Sequence, residues 1–410
     1  MRQSNPCTPV LRIIAVALAC AGLLFTIANT ARAQLVIDPI AVQGQNTTGQ
    51  TDPAAPNAAA PLPAFIKPGT RLIYAATAQQ VDPNTRKPST FGAKGFNVYD
   101  VVAVTPPHAH VLGRIYSPPP MQPNGPQRQT GLTPNFITLK QPTGDAALWM
   151  PKADLDAIQS SKDATSEIIV ERGGTLQAAG QTFKTVVVAV NIRNQTSRTI
   201  YDADSGLMLS RVSQQADPNI PFTQRKRSGG SEQLVAIRQL SLPWLNTPTQ
   251  APAWLTPNAT LRYQGQVQTR GAEMFQTTAA SQITFTQTGP NWSSATSQLQ
   301  LFINGQPHQN PTTSLHLDGP GNTLGLWKDP NTLAQLRPGV LDQDPVLNSK
   351  LSYDVQDGPQ GRLGVFIEQD ANDAHVRVYG YNLQTGVLTF QQIIDNTQGQ
   401  TITATLAGQP

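Results

Sequence analysis

Apolar and polar residues alternate along this chain in short runs. Phe96 to Val104, Val111 to Tyr116, Thr260 to Thr269, Gln282 to Gln287, Ser297 to Ile303, Arg362 to Gln369 and Val376 to Tyr381 all approach the period of two expected of a half-buried strand. Thr182 to Ile192 is dense in β-branched residues and predicts a strand buried on at least one side. Only two stretches favour a helix, Pro151 to Ser160 and Pro330 to Leu336. Each has a proline near its start and apolar residues three apart, Leu155 with Ile158 and Leu333 with Leu336. The pattern predicts a mainly β (α+β) protein: curved antiparallel sheets, each with one short helix packed on it.

Turn chemistry sharpens this picture. In Thr199 to Val212 a strand ends at Tyr201, Asp202 to Gly206 turn the chain, and a second strand leaves through Leu207 and Leu209. Asp at the first turn position folds its side chain onto backbone N–H groups, and Gly at the end takes a positive φ. The unit recurs at Val378 to Leu388, where Tyr381, Asn382, Gly386 and Val387 match Tyr201, Asp202, Gly206 and Leu207 at an offset of 180. Two further anchors recur in the same order. Phe65, Pro68, Leu72 and Tyr74 match Trp254, Pro257, Leu261 and Tyr263 at offset 189, and Leu148-Trp149 matches Leu326-Trp327 at offset 178. These matches predict two tandem similar domains, residues 63–245 and 253–410, joined by a linker at 246–252. Trp149 and Trp327 are expected in their cores.

The first 62 residues read differently. Arg2 and Arg12 precede an apolar run from Ile13 to Ala28, and Ala31-Arg32-Ala33 forms a small-residue cleavage site, so residues 1–33 are expected to be an export signal. Lipidation of Cys20 is the rival to cleavage after Ala33. Residues 34–62, rich in Pro, Ala and Gln, are expected to be a disordered tether. Removing the signal takes away three arginines, leaving 26 basic against 25 acidic residues, so the basic pI gives no argument for nucleic acid. Both cysteines, Cys7 and Cys20, leave with it, which excludes disulfides and cysteine metal sites from the mature chain. No membrane span is expected in the mature chain. The expected location is periplasmic or extracellular.

The Tyr-Asp…Gly-Leu turns, the Leu-Trp segments running into a proline, and the Pro-Gly-Thr-Arg-Leu-Ile-Tyr opening at Pro68 to Tyr74 resemble those of uncharacterised secreted bacterial proteins. The sheet-plus-helix order with its hairpin more distantly resembles the half-barrel of the periplasmic lipoprotein-carrier family. The resemblance implies a fold and carries over no ligand-binding residue.

Candidate chemistry is sparse. His108 and His110 share a face if they lie on a strand, and could hold a metal if His308, His316, Asp318 or His375 supplied a third ligand. The plainer expectation is a solvated turn after Pro106-Pro107. Asp202 with Asp204, Asp342 with Asp344, and Asp370 to His375 are expected to be turns. Glu167 and Glu171 are expected on a solvated edge, and Arg225-Lys226-Arg227 in a solvated loop. No Gly-x-Ser-x-Gly elbow or phosphate-binding glycine loop occurs. No residue is assigned a catalytic, cofactor-binding or metal role, and no cofactor is expected. The expectation is an exported, non-catalytic cell-envelope protein that binds a lipid or other apolar ligand, or a protein partner, on its concave sheet faces. The alternatives are a metal-dependent hydrolase using His108 and His110, and a purely structural surface protein. A deep apolar cleft favours a ligand carrier; a filled interior favours a scaffold.

Overall fold

The computed structural model describes residues 62–408, apart from 82–87, 91–94, 106–107, 118–127, 140–147, 165, 193–194, 217–226, 270–276, 359–360, 371–374 and 397–398. The proposed signal, the Cys20 alternative, the tether up to residue 61 and residues 225–226 lie outside the described residues.

The protein is mostly β and forms two large antiparallel sheets, curved and unclosed. The first contains β1 (Thr70–Val81), β2 (Pro88–Thr90), β3 (Gly95–Thr105), β4 (His108–Ser117), β5 (Arg128–Leu139), β6 (Ser161–Lys162), β7 (Ser166–Ala178), β8 (Gln181–Ile192), β9 (Gln195–Asp202), β10 (Met208–Ala216) and β11 (Arg227–Gln239). The second contains β12 (Thr260–Thr269), β13 (Thr277–Thr288), β14 (Ser293–Ile303), β15 (Gln306–Asp318), β16 (Gly339–Asp344), β17 (Ser349–Gly358), β18 (Gly361–Gln369), β19 (His375–Asn382), β20 (Leu388–Asp395) and β21 (Gln400–Leu406). Strand order in the first is β5-β4-β3-β1-β11-β10-β9-β8-β7-β6, with β2 paired to β1. In the second it is β15-β14-β13-β12-β21-β20-β19-β18-β17-β16. The two orders correspond strand for strand. Each sheet interrupts its series at the same place for one short helix, α1 (Lys152–Ala157) or α2 (Pro330–Gln335).

Period-two patterning explains the layers. Along β12, Leu261, Tyr263, Gly265 and Val267 are buried while Arg262, Gln264, Gln266 and Gln268 are exposed. Inward residues form one apolar core per sheet. Trp149 and Leu155 pack with Leu72, Tyr74 and Val186 in the first, and Trp327 and Leu333 with Leu261, Phe285 and Phe366 in the second. Both tryptophans are buried, as their sequence context predicts.

The hairpin turns take the predicted form in both sheets. Asp202 accepts hydrogen bonds from the N–H groups of Asp204 and Ser205, and Asn382 accepts from Gln384 and Thr385. Gly206 and Gly386 have φ of 73° and 69°. Each carbonyl accepts from the Leu-Trp segment: Met150 N–H to Gly206 at 2.9 Å, and Lys328 N–H to Gly386 at 2.8 Å. Trp149 bridges Leu207 and Trp327 bridges Val387, so the hairpin anchors the tryptophan in each core. Buried tyrosines repeat the plan across it: Tyr74 donates to the Met208 carbonyl and Tyr263 to the Leu388 carbonyl, both at 2.8 Å.

The chain leaving β11 reaches the second core ahead of residues 246–252. Leu240, Leu242 and Trp244 already pack into the second core, and Pro243–Asn246 forms a 3-10 turn. Pro243 at the first position of that turn and the apolar residues around it draw this segment inward.

Candidate functional site

The most densely built polar site is the seam where the outward face of the first sheet meets the second. Thr70-Arg71-Leu72-Ile73 is a strand in which Leu72 faces the core, so Arg71 must face the other way. There it meets Asp100 of β3, its register partner. Arg71 donates to Asp100 through Nε at 2.6 Å and Nη2 at 3.0 Å, and through Nη1 to Asp344 of the second sheet at 3.0 Å. Arg114 of β4 donates to Asp100 at 2.7 Å and to Asn322 of the second half at 3.1 Å. Arg238 of β11 forks onto Asp342 at 2.8 and 2.9 Å and also reaches Asp344 at 2.9 Å. Three guanidinium groups and three carboxylates therefore interlock across the seam with no net charge.

Burial gives this network its consequence. The side chains of Arg71, Asp100 and Asp344 are at most 3% exposed. Burial opposes the charge on Arg71, but Asp100 and Asp344 hold its pKa well above the usual value. Burial likewise raises Asp344, yet Arg71, the Leu347 N–H and Arg238 bring it below the usual carboxylate range. Paired buried charges of this kind specify one geometry, because losing one partner strands the other without water.

Apolar contacts flank the charges. Leu347 packs with Ile73, Val98 and Tyr116, and Leu317 with Val102 and Leu112. The loop following β15 presses on the first sheet's backbone: Gly321 N–H donates to the Val102 carbonyl at 2.8 Å, and a Cβ at Gly321 would lie 1.9 Å from the Val101 oxygen. Only glycine allows that approach.

A second cluster lies behind the seam. Burial pushes the Asp318 carboxyl up to about 7, against the Leu326 N–H, Lys328 and Asn322, which favour its charged form. Burial pulls the Lys328 ammonium down to about 7, and Asp318 works in the opposite direction. Lys328 donates to the Asn322 carbonyl and faces the rings of Trp244, Phe366 and Tyr381 at 5.1, 5.8 and 6.0 Å. This cluster fastens the loop following β15 beneath Trp244, whose indole donates to the Pro320 carbonyl at 2.8 Å.

The structure distributes the sequence candidates widely. His108 and His110 begin β4 instead of forming the expected solvated turn. His110 is buried because Trp292 of the second half stacks on it, ring centroids 4.0 Å apart, and it bonds Thr105 at 3.0 Å. Its potential third ligands are engaged elsewhere: His316 with Ser297, Asp318 in the loop cluster, and His375 with Asp370 and Asp395. The side chains of His108 and His308 lie outside the described residues. Asp342 and Asp344 occupy strand β16, which corrects the expected turn; the turn starts at Pro345, after both carboxylates have reached the arginines. Glu167 pairs with Lys162 at 3.0 Å and Glu171 approaches Arg198 at 4.0 Å on exposed β7, the expected solvated edge. Asp370 and His375 close the β18–β19 connection, as expected of a turn.

Sequence reasoning missed Arg71, Asp100, Arg114, Arg238 and Asn322. The signal that marks Asp100 is a charge in the middle of an apolar strand, Val98-Tyr-Asp100-Val-Val102, in a chain only 13% charged; Asn322, in the loop following β15, carries no such mark.

No family model matches the sequence, and no curated protein matches it. Solved structures give weak similarities. The crystal structure of MucB in complex with MucA(peri) is 11% identical, with a TM-score of 0.21, covering 84% of this chain and 89% of that one. The complex structure of Pseudomonas aeruginosa MucA/MucB is 13% identical, with a TM-score of 0.19, covering 82% and 89%. A crystal structure of MucB is 11% identical, with a TM-score of 0.20, covering 78% and 91%. Among the described residues no helix is long and apolar enough to cross a membrane.

Proposed function

We propose that this chain is an exported, non-catalytic protein of the cell envelope, acting as a rigid two-sheet framework that binds a partner. The observation that carries this reading is the seam. Buried arginines and aspartates that could have built a reactive cleft are used to hold two sheets in one geometry. A fixed relative placement of two large surfaces suits binding and needs no proton transfer. The matched strand orders and anchors support one unit written twice, with domains near 63–245 and 253–410.

The helix-bearing faces are packed by the chain's own Trp149, Leu155, Trp327 and Leu333, which favours a partner on an outer surface over an apolar ligand inside either curve. The hydrolase alternative has against it the engagement of His110 with Trp292 and Thr105.

Two measurements test the proposal. After expression with its own leader, the chain should be recovered outside the cytoplasm with Gln34 first; cytoplasmic retention contradicts export. Metal analysis should find no stoichiometric ion in the purified protein. One zinc per chain, lost with a hydrolytic activity in the His108→Ala/His110→Ala variant, contradicts the non-catalytic reading.

A further inference from the structure

One half of the second sheet's outward face is nearly uncharged. On β21, β12, β13 and β14 only Arg262 contributes a charge among the described outward positions, whereas protein surfaces are commonly about 25–35% charged. Glutamine and threonine stand in its place. One row runs across five strands through register partners: Phe302, Thr278, Gln266, Thr403 and Gln392. Gln264 and Gln268 flank Gln266 along β12, and all three are exposed.

The corresponding face of the first sheet shows what such a face can do. Where the first sheet has Arg71, Asp100 and Arg114, the same strand positions of the second sheet hold Thr260, Thr284 and Gln298. In the first sheet that face is charged and covered by the second half of the chain. In the second, these positions are neutral, and among the described residues no segment covers Gln264, Gln266 and Gln268. A charged occupant would lose water here without gaining a counter-charge, whereas the hydroxyl groups of a neutral one can bond to these amides and hydroxyls. Neighbouring strands lie about 4.8 Å apart, close to the rise of one sugar in an extended β-linked glycan. The row thus offers roughly one amide or hydroxyl per sugar, and half-buried Phe302 at its end is the aromatic residue nearest a bound pyranose ring.

We propose that this face binds an extended, uncharged β-1,4-linked polysaccharide laid across the strands. Gln266, Thr403 and Gln392 hydrogen-bond its hydroxyls and Phe302 stacks on one sugar. The inference takes the binding role argued above and names its ligand. Its test uses the purified chain, so a failure of export leaves it standing.

The test is calorimetric titration with cellohexaose, alongside retention on insoluble cellulose, with alginate as the anionic comparison. The expected result is saturable binding of cellohexaose and cellulose, and none of alginate. Gln266→Glu with Thr403→Glu should weaken binding at least tenfold, and Phe302→Ala should weaken it severalfold. Both variants must keep the parent's circular dichroism and melting temperature; if the glutamates disturb the fold, Gln266→Ala with Gln392→Ala replaces them. No binding of cellohexaose at millimolar concentration overturns the proposal. So does equal affinity in folded variants, or binding of alginate alone. Concentration-dependent self-association abolished by the same substitutions also overturns it, by giving the face to a second copy of the chain.

Discussion

Gly206 and Gly386 each satisfy two demands at once. Their φ values are positive, and an added Cβ would sit 1.7 Å from the Met150 oxygen or 1.9 Å from the Lys328 oxygen. Substituting valine at either should cost about 1–3 kcal/mol through backbone strain and that clash together, read as a lower denaturation midpoint. Unchanged midpoints in both variants would contradict the turn geometry. These glycines were legible in the sequence because a turn's chemistry is local. Arg71 was not, because its partner Asp344 lies 273 residues along the chain. Two histidines give opposite pH dependences. Burial lowers His316 from 6.5 to about 4, so the unfolded state takes a proton that the folded state refuses, and stability should fall as pH drops from 6.5 toward 4. Burial opposes charge on His375, but the hydrogen bonds it donates to Asp370 and Asp395 raise it above 6.5. Its contribution is complete below pH 6.5 and is lost as pH rises through the higher folded value. Melting curves against pH should show His316→Gln flattening the acid limb and His375→Gln removing only the loss at higher pH. The same pH profile in parent and both variants would refute the assignment.

At the scale of elements, alternation revealed the strands and the Leu-Trp segments revealed the helices, since both patterns follow from one buried face. Errors fell where an element is covered from outside its own sheet. His108 to His110 looked like a solvated turn because Trp292, which buries His110, comes from the other half. Asp342 and Asp344 looked like turn residues because Pro345 follows them, while the arginines that hold them lie on β1 and β11. The seam joining these elements is open to a direct test. Arg71→Met leaves Asp100 without its forked partner and Asp344 with Arg238 alone, and should destabilise by about 3–5 kcal/mol. Removing Arg238 and Asp342 together, as Arg238→Met with Asp342→Leu, should cost clearly less than the sum of the single changes, because neither charge is then stranded. Strict additivity in denaturant titrations would show that the two do not interact.

The whole molecule repeats one strand plan in two sheets but treats the two outward faces differently. The first is charged and closed by the second half; across β12, β13, β14 and β21 the second carries Arg262 as its one charge, and its central glutamines are exposed among the described residues. Repeated hairpins made the plan readable from sequence. The seam was hidden because nothing local marks which charges will meet. If Leu240 to Trp244, the loop following β15 and the interlocked arginines bind the halves into one body, neither sheet should melt alone. Differential scanning calorimetry tests this claim most directly. The account predicts a single transition in the parent whose calorimetric and van't Hoff enthalpies agree, and two separated transitions in Arg71→Met. Two independent transitions in the parent protein would contradict it.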